Sequence, residues 1–351
     1  MNEIRLGTIG TGSIVHSILD AVKLNDGIRL EAVYSRKWET GNALVSEYGA
    51  GKVFTDLQAF MNDPDLDCIY IASPNSLHGK YIEQALLSGK HVICEKPMCA
   101  KAAKIRELRA LAKKKSLFLV DATPTSFLPN FSVLQQMLPK IGRIRLVLCN
   151  YSQYSSRYDR FREAVKEKKE TEIPNVFHPA FSGGSLMDIN YYNVYFACLL
   201  FGKPLSAVYY PNLASLPHKE VIDTSGLMIL RYPDFLFSGA GAKDTRGVNY
   251  AQIEGEDGFL YVNEGTNGIV SVRIVTKEKD RTCDLQDMKV SGPTNRYYYE
   301  IREIARLMLE EKAEEFDRRL SATIDTIEVI EEARKSAGIY FPEDELNDPG
   351  S

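Results

Sequence analysis

Gly7-Thr8-Ile9-Gly10-Thr11-Gly12-Ser13-Ile14-Val15 lies where an apolar run beginning at Ile4 gives way to a segment with helical spacing. It reads as G-x-G-x-x with Val15 at the third glycine position, a strand end, a tight turn and a helix start. At such a junction Gly10 permits the turn and Gly12 lets the backbone approach a pyrophosphate. Ser13 and Ile14 then open a helix whose N-terminus favours negative charge. The same letters also spell a generic strand-to-helix turn. The position at the head of a βαβ unit is what gives the dinucleotide reading.

Outward from that turn, the first 121 residues alternate short apolar runs with helical stretches, the pattern of a parallel sheet with crossover helices. The predicted strands are Ile4 to Ile9, Leu30 to Tyr34, Lys52 to Phe54, Cys68 to Ile71, His91 to Cys94 and Leu117 to Asp121. Pro124 and Pro129 break the periodicity between Ala122 and Asn130, which places a linker there. Downstream the runs are separated by turns such as Tyr232-Pro233-Asp234 and Glu254-Gly255-Glu256-Asp257-Gly258, so the second sheet is read as mainly antiparallel. Helices are expected near Ser185, over Asn295 to Glu311 and over Ser321 to Ala337, and Asp159 to Thr171 reads as an exposed charged excursion. The expected fold is α/β. Residues 1–122 form an N-terminal Rossmann domain with a doubly wound parallel sheet. Residues 123–351 form a C-terminal α+β domain with a large, mainly antiparallel open sheet, for substrate binding and oligomerisation.

The chain's 351 residues suit about two domains. A formal charge of −4 with no arginine-rich tail gives no footprint for nucleic acid, and Lys101, Lys104, Arg106, Arg109 and Lys113 have the spacing of a solvated helix face. No apolar run approaches the roughly 18 residues that cross a bilayer, and no charged leader opens the chain, so a cytoplasmic protein without membrane contact is expected. Six scattered cysteines, without a C-x-x-C pair or a histidine at ligand spacing, read as reduced buried thiols and give no metal site.

Three further loops carry chemistry. The second strand ends in Tyr34-Ser35-Arg36-Lys37, where a ribose-binding acid is expected about 23 residues beyond Gly12. A hydroxyl and two cations there would bind a 2'-phosphate that a carboxylate would repel, so Ser35, Arg36 and Lys37 favour NADP, with NAD the alternative. The fourth and fifth strands end in Ser73-Pro74-Asn75-Ser76-Leu77-His78 and Cys94-Glu95-Lys96-Pro97, at the carboxyl edge where a doubly wound sheet binds ligands. Ser73, Pro74, Asn75, His78, Glu95, Lys96 and Pro97 are therefore assigned to cofactor binding with Gly10, Gly12, Ser13 and Ile14.

Taken in order, the Gly10/Gly12 turn, Ser73 to His78, the G-K-H-V-I-C-E-K-P at Gly89 to Pro97 and the G-G-S-L-M-D at Gly183 to Asp188 resemble the Gfo/Idh/MocA oxidoreductase family. The resemblance implies a nicotinamide cofactor, a sugar, cyclitol or related polyol substrate, and an open C-terminal sheet that packs against another subunit in a dimer or tetramer. Two departures stand out. Many members have histidine four residues after the second motif's aspartate, where this chain has Tyr192, as do the dihydrodiol dehydrogenase and glucose-fructose oxidoreductase branches. Many also carry an arginine before the Phe-x-Pro of the domain junction, where this chain reads Thr125-Ser126-Phe127-Leu128-Pro129.

Lys96, Asp188 and Tyr192 are the expected catalytic residues. On one helix Asp188 and Tyr192 share a face, both turned toward the cleft between domains, with Lys96 on the opposite wall. A free tyrosine titrates near pH 10, so a phenolate base at about pH 7.5 needs roughly 3.4 kcal/mol of stabilisation, which the Lys96 ammonium and an oxidised nicotinamide would supply. Asp188 would hold Lys96 or a substrate hydroxyl. Alternatively Lys96 itself takes the proton. The other tyrosines read as packing, and His178 and Arg157 suit a substrate contact and a surface role equally. A rival from another class is a dinucleotide-sensing protein without turnover, which would need none of the three residues.

Overall fold

The structure is a computed structural model that describes residues 3–49, 51–217, 220–276, 279–284 (backbone alone) and 295–345. In chain order the first elements are β1 (Ile4–Ile9), α1 (Ser13–Lys23), β2 (Ile28–Tyr34), α2 (Trp38–Tyr48), β3 (Lys52–Phe54), α3 (Leu57–Met61), β4 (Cys68–Ile71), α4 (Asn75–Leu87), β5 (His91–Glu95), α5 (Ala102–Lys114) and β6 (Leu119–Ala122). There follow α6 (Pro129–Met137), β7 (Ile144–Ser152), α7 (Tyr158–Lys166), α8 (Tyr191–Phe201), β8 (Ser206–Ser215), β9 (Val221–Arg231), β10 (Leu236–Ala242), β11 (Tyr250–Gly255), β12 (Gly258–Asn263), α9 (Gly265–Gly268), β13 (Ser271–Thr276) and β14 (Lys279–Asp284). The chain closes with α10 (Tyr297–Leu309), α11 (Ala313–Ser336) and α12 (Pro342–Glu345). Among the described residues no helix is long and apolar enough to cross a membrane.

Two compact units result. The first comprises Met1–Cys99, Ala103–Phe127 and Gly292–Ile324, and the second Ala100–Ala102, Leu128–Ser291 and Asp325–Ser351. Unlike a continuous division at residue 122, α10 and the first half of α11 belong to the first unit. The reason is packing: Ile301, Ile304, Leu307 and Met308 of α10 share one core cluster with Val15, Ile18, Leu19 and Val22 of α1. The expected proline linker is also not exposed. Pro124–Phe127 forms a buried 3-10 turn and Pro129 starts α6, where its fixed φ and missing N–H suit a first helical position.

The first unit holds six parallel strands in the order β3-β2-β1-β4-β5-β6, the expected doubly wound arrangement. Its direction reverses between β1 and β4, so their carboxyl ends flank the ligand crevice of such a sheet. On α5, Lys104 pairs with Glu83 and Glu107, while Arg109 and Lys113 pair with Asp317. These cations thus sit among matching acids.

The second unit holds eight strands in the order β14-β13-β12-β11-β7-β10-β9-β8, antiparallel except for β10 beside β7. One face buries Val147, Cys149, Met228, Leu230, Phe237, Ala251, Ile253, Leu260 and Val262. The alternate residues Val208, Tyr210, Leu227 and Leu236 stand 37–63% exposed. Tyr210 lies opposite Leu227, so these two share the open face. The stretch expected as an exposed excursion instead contains α7, whose Phe161 and Ala164 are buried, with Phe161 stacked on Phe177 at 4.5 Å. Of the six cysteines, Cys68, Cys94, Cys99, Cys149 and Cys198 are free and buried, and the Cys283 side chain lies outside the described residues.

Candidate functional site

The turn after β1 is built for close approach. Gly10 has φ +117°, and a Cβ there would lie 2.5 Å from Ala72 O, so only glycine fits. At Gly12 a Cβ would meet nothing within 4 Å. No side chain caps α1 and its first turn contains no acid, so the helix N-terminus is presented with Gly12 and Ser13 exposed and Ile14 half-buried. An anionic pyrophosphate fits this opening. Beside it, Ser35 is buried, its hydroxyl paired with Thr40 Oγ1 at 2.6 Å and accepting from Lys37 N at 3.3 Å. Arg36 and Lys37 are exposed just after β2.

The loops after β4 and β5 are tied together by His78. Its Nε2 lies 2.8 Å from Ser73 O and its Nδ1 2.9 Å from Pro97 O, with the ring 1% exposed. Both partners are acceptors, so a neutral imidazole donates to only one of them. Burial pulls the His78 pKa down, against the two carbonyls that favour the charged ring. His78 therefore shapes both loops from behind, while Ser73, Pro74 and Asn75 remain half-buried at the start of α4. Glu95 is buried and accepts from Tyr70 Oη at 2.5 Å; Lys96 is half-buried, and Pro97 after it is buried behind a cis peptide.

In the second unit Gly183-Gly184-Ser185 leads into a π-helical turn over Leu186–Asn190 and then α8, so the helix expected after Gly184 begins with a wider turn. Asp223 on β9 pins its entry by accepting from Leu186 N at 2.6 Å and Tyr209 Oη at 2.7 Å. Asp188 forms an ion pair with Lys243, just beyond β10. The sequence reading has Asp188 hold Lys96 or a substrate hydroxyl; Lys243 is a further ionic partner of Asp188 that the reading missed. The available signal was a lysine directly after the apolar run Leu236–Ala242. Tyr192 is 5% exposed, its ring edge-on to Tyr151 at 5.6 Å. Tyr151 Oη in turn accepts from Asn267 Nδ2 at 2.7 Å. Tyr191 and Tyr195 stack in the core as expected.

His178 donates from Nε2 to Glu170 at 2.9 Å and accepts at Nδ1 from Ala180 N at 3.1 Å. Its donor atoms lie within 4.8 Å of those of Glu170 and Glu220, but both ring nitrogens are committed. Thus Ser73, His78 and Pro97 come together in the first unit, as do Asp188, Lys243 and Asp223 in the second.

Residues 4–122 match the oxidoreductase family with an NAD-binding Rossmann fold. The chain is 34% identical over 342 residues to a scyllo-inositol 2-dehydrogenase (NADP(+)) of Bacillus subtilis (strain 168), covering 97% of this chain and 99% of that one. It is 24% identical over 322 residues to the human trans-1,2-dihydrobenzene-1,2-diol dehydrogenase, covering 89% and 90%. The fold matches a 3-ketoreductase from Actinomadura kijaniata crystallised with NADP and TDP-benzene, with TM-score 0.78, 22% identity and coverage of 97% and 100%. With its open α1 N-terminus, its ordered loops and this full-length likeness, the chain belongs to the Gfo/Idh/MocA family and is an NAD(P)-dependent oxidoreductase.

Proposed function

We propose that the protein is an NADP-preferring dehydrogenase or reductase acting on a secondary alcohol or its carbonyl in a sugar, polyol or dihydrodiol-like substrate. The observation that carries this reading is the presence of Lys96, Asp188 and Tyr192 in a chain whose α1 N-terminus is left open for a dinucleotide. A dinucleotide sensor without turnover would need none of those three side chains. The likeness to an NADP(+)-dependent scyllo-inositol dehydrogenase supports both the cofactor and a cyclitol or related polyol.

Gly10, Gly12, Ser13 and Ile14 would hold the pyrophosphate, Ser35, Arg36 and Lys37 the ribose end, and the loops of Ser73 to His78 and Glu95 to Pro97 the remainder. The bound nicotinamide supplies hydride transfer at C4, the chemistry that side chains lack. The residues' task is the proton: Tyr192 moves it to or from the substrate oxygen, Lys96 favours the phenolate, and Asp188 accepts a hydrogen bond from a substrate hydroxyl. The open face around Tyr210 and Leu227 supports a homo-oligomer, dimer or tetramer. The buried free thiols support a cytoplasmic setting. An initial-rate screen of cyclitols, sugars, dihydrodiols and the matching carbonyl compounds with NADP and NADPH tests the reading. Turnover of one class is expected, and none with any class would overturn it.

A further inference from the structure

Lys243 is 2% exposed, an unusual place for an ammonium. Taking such a charge out of water costs several kcal/mol unless a partner compensates. Its backbone N–H is fixed to Thr224 O at 2.8 Å, and its Nζ lies 5.0 Å from the centre of the Phe177 ring, a cation–π contact. Asp223 lies near it, Asp244 follows it in the chain, and both have other work. Asp223 accepts from Leu186 N and Tyr209 Oη. Asp244 accepts from the hydroxyls of Thr224 and Ser225, both at 2.8 Å. Asp188 makes the ion pair.

The pair is lopsided: the cation is sealed, whereas the Asp188 side chain is 33% exposed. The backbone carrying Asp188 is pinned as well. Gly184 has φ +103°, and a Cβ there would lie 2.2 Å from Asp223 Oδ1, so the turn and the acid beneath it fit only as they stand. A carboxylate held by a buried cation, on a fixed backbone and part-exposed, is placed to accept a hydrogen bond from a bound hydroxyl.

We propose that Lys243 is a positioning residue whose buried ammonium keeps the Asp188 carboxylate ionised and oriented, so that Asp188 accepts a substrate hydroxyl hydrogen bond and does not donate a proton. The proposal rests on the reading of Asp188 as a substrate-binding residue. Other titratable groups lie on the elements packed against the turn that carries Asp188. Asp223 comes from β9 with Tyr209 of β8 upon it, and Asp244 follows Lys243. The Tyr192 ring of α8 backs on Tyr151 of β7, the Cys149 thiol of β7 is kept neutral by burial, and β10 has no titratable side chain.

The test uses the full-length protein labelled with [4-13C]aspartate, the Asp188 signal being assigned by its loss in Asp188→Asn. In the wild type Asp188 is expected to stay ionised at about pH 4, near or below the ordinary aspartate value. In Lys243→Met its titration, and with it the acid limb of kcat/KM, should move up by about 1 to 3 pH units, the usual influence of an adjacent opposite charge. NADPH affinity should change less than about twofold, and Lys243→Arg should return the limb toward its wild-type position. An Asp188 signal that titrates alike in wild type and Lys243→Met, or an unmoved acid limb, overturns the proposal alone. If Lys243→Met does not fold, the wild-type titration decides, and a midpoint clearly above about pH 4 overturns it. Full kcat/KM in Asp188→Asn instead overturns the reading on which it rests.

Discussion

Tyr70 Oη donates to Glu95 Oε1 across 2.5 Å inside the parallel sheet, with Tyr70 wholly buried and Glu95 9% exposed. The bond fixes the last residue of β5, the one before Lys96. Burial pushes the Glu95 carboxyl above its ordinary range and the Tyr70 bond works against that. A carboxyl raised in the folded state contributes most at low pH, and its contribution fades as pH rises through the folded value. Tyr70→Phe should therefore destabilise by about 1 to 3 kcal/mol, with a larger deficit at about pH 8 than at about pH 5. Urea denaturation at the two pH values checks this, and equal deficits would count against it.

Glu300 of α10 presents the same physics without a partner. It is 0% exposed, and neither carboxylate oxygen has a hydrogen-bond partner among the described residues. Burial first, then the nearby Glu95 and Asp121, hold its pKa well above the carboxylate range. Each unit of such a rise is about 1.4 kcal/mol against the folded state once the pH exceeds the folded value. Glu300→Gln should raise Tm, by several degrees at about pH 8 and by less at about pH 5. A Tm gain independent of pH in calorimetric scans would remove the argument.

Arg36 stands exposed where a ribose-binding acid would repel a 2'-phosphate. A charge-assisted contact is worth about 1.5 to 3 kcal/mol, so Arg36→Ala should weaken NADPH roughly ten- to a hundredfold and leave NADH nearly unchanged. Fluorescence titration of both cofactors measures this. Wild-type protein that binds NADH as tightly as NADPH would end the claim.

The open sheet face makes a prediction about assembly. Tyr210 and Leu227 are 63% and 37% exposed on paired strands, and Leu236 is 50% exposed on the next strand. Light scattering at micromolar protein should give a multiple of the 39.5 kDa chain mass. Replacing Tyr210 and Leu227 together by lysine should return it to one chain, and a wild-type monomer would refute the idea.

What could be read from the sequence was local. Gly10, Gly12 and the alternation up to Asp121 define the doubly wound sheet because each strand, turn and helix there is contiguous. Three features depend on distant partners and left no such trace. The apolar face of α10 is plain in Ile301 and Ile304, yet nothing local says that it packs on α1. Charge density hid α7, whose buried Phe161 and Ala164 are only two positions in nine residues. Lys243 and Asp188 are 55 residues apart, and no spacing joins them.

The proton carrier is the last prediction. Tyr192 is buried, with its ring against Tyr151, and follows Asp188 by four positions through the π-helical turn. A core tyrosine placed only for packing would tolerate loss of its hydroxyl, because phenylalanine keeps the ring and the edge-on contact. A proton carrier would not. Tyr192→Phe should lower kcat at least about tenfold, the low side of what a positioned acid or base contributes, with NADPH affinity unchanged. Lys96→Ala should be worse, because it removes both the cation that favours the phenolate and the alternative base. If Tyr192→Phe keeps full turnover from about pH 6 to 9 while Lys96→Ala is inactive, Lys96 is the acid-base group and Tyr192 only packs.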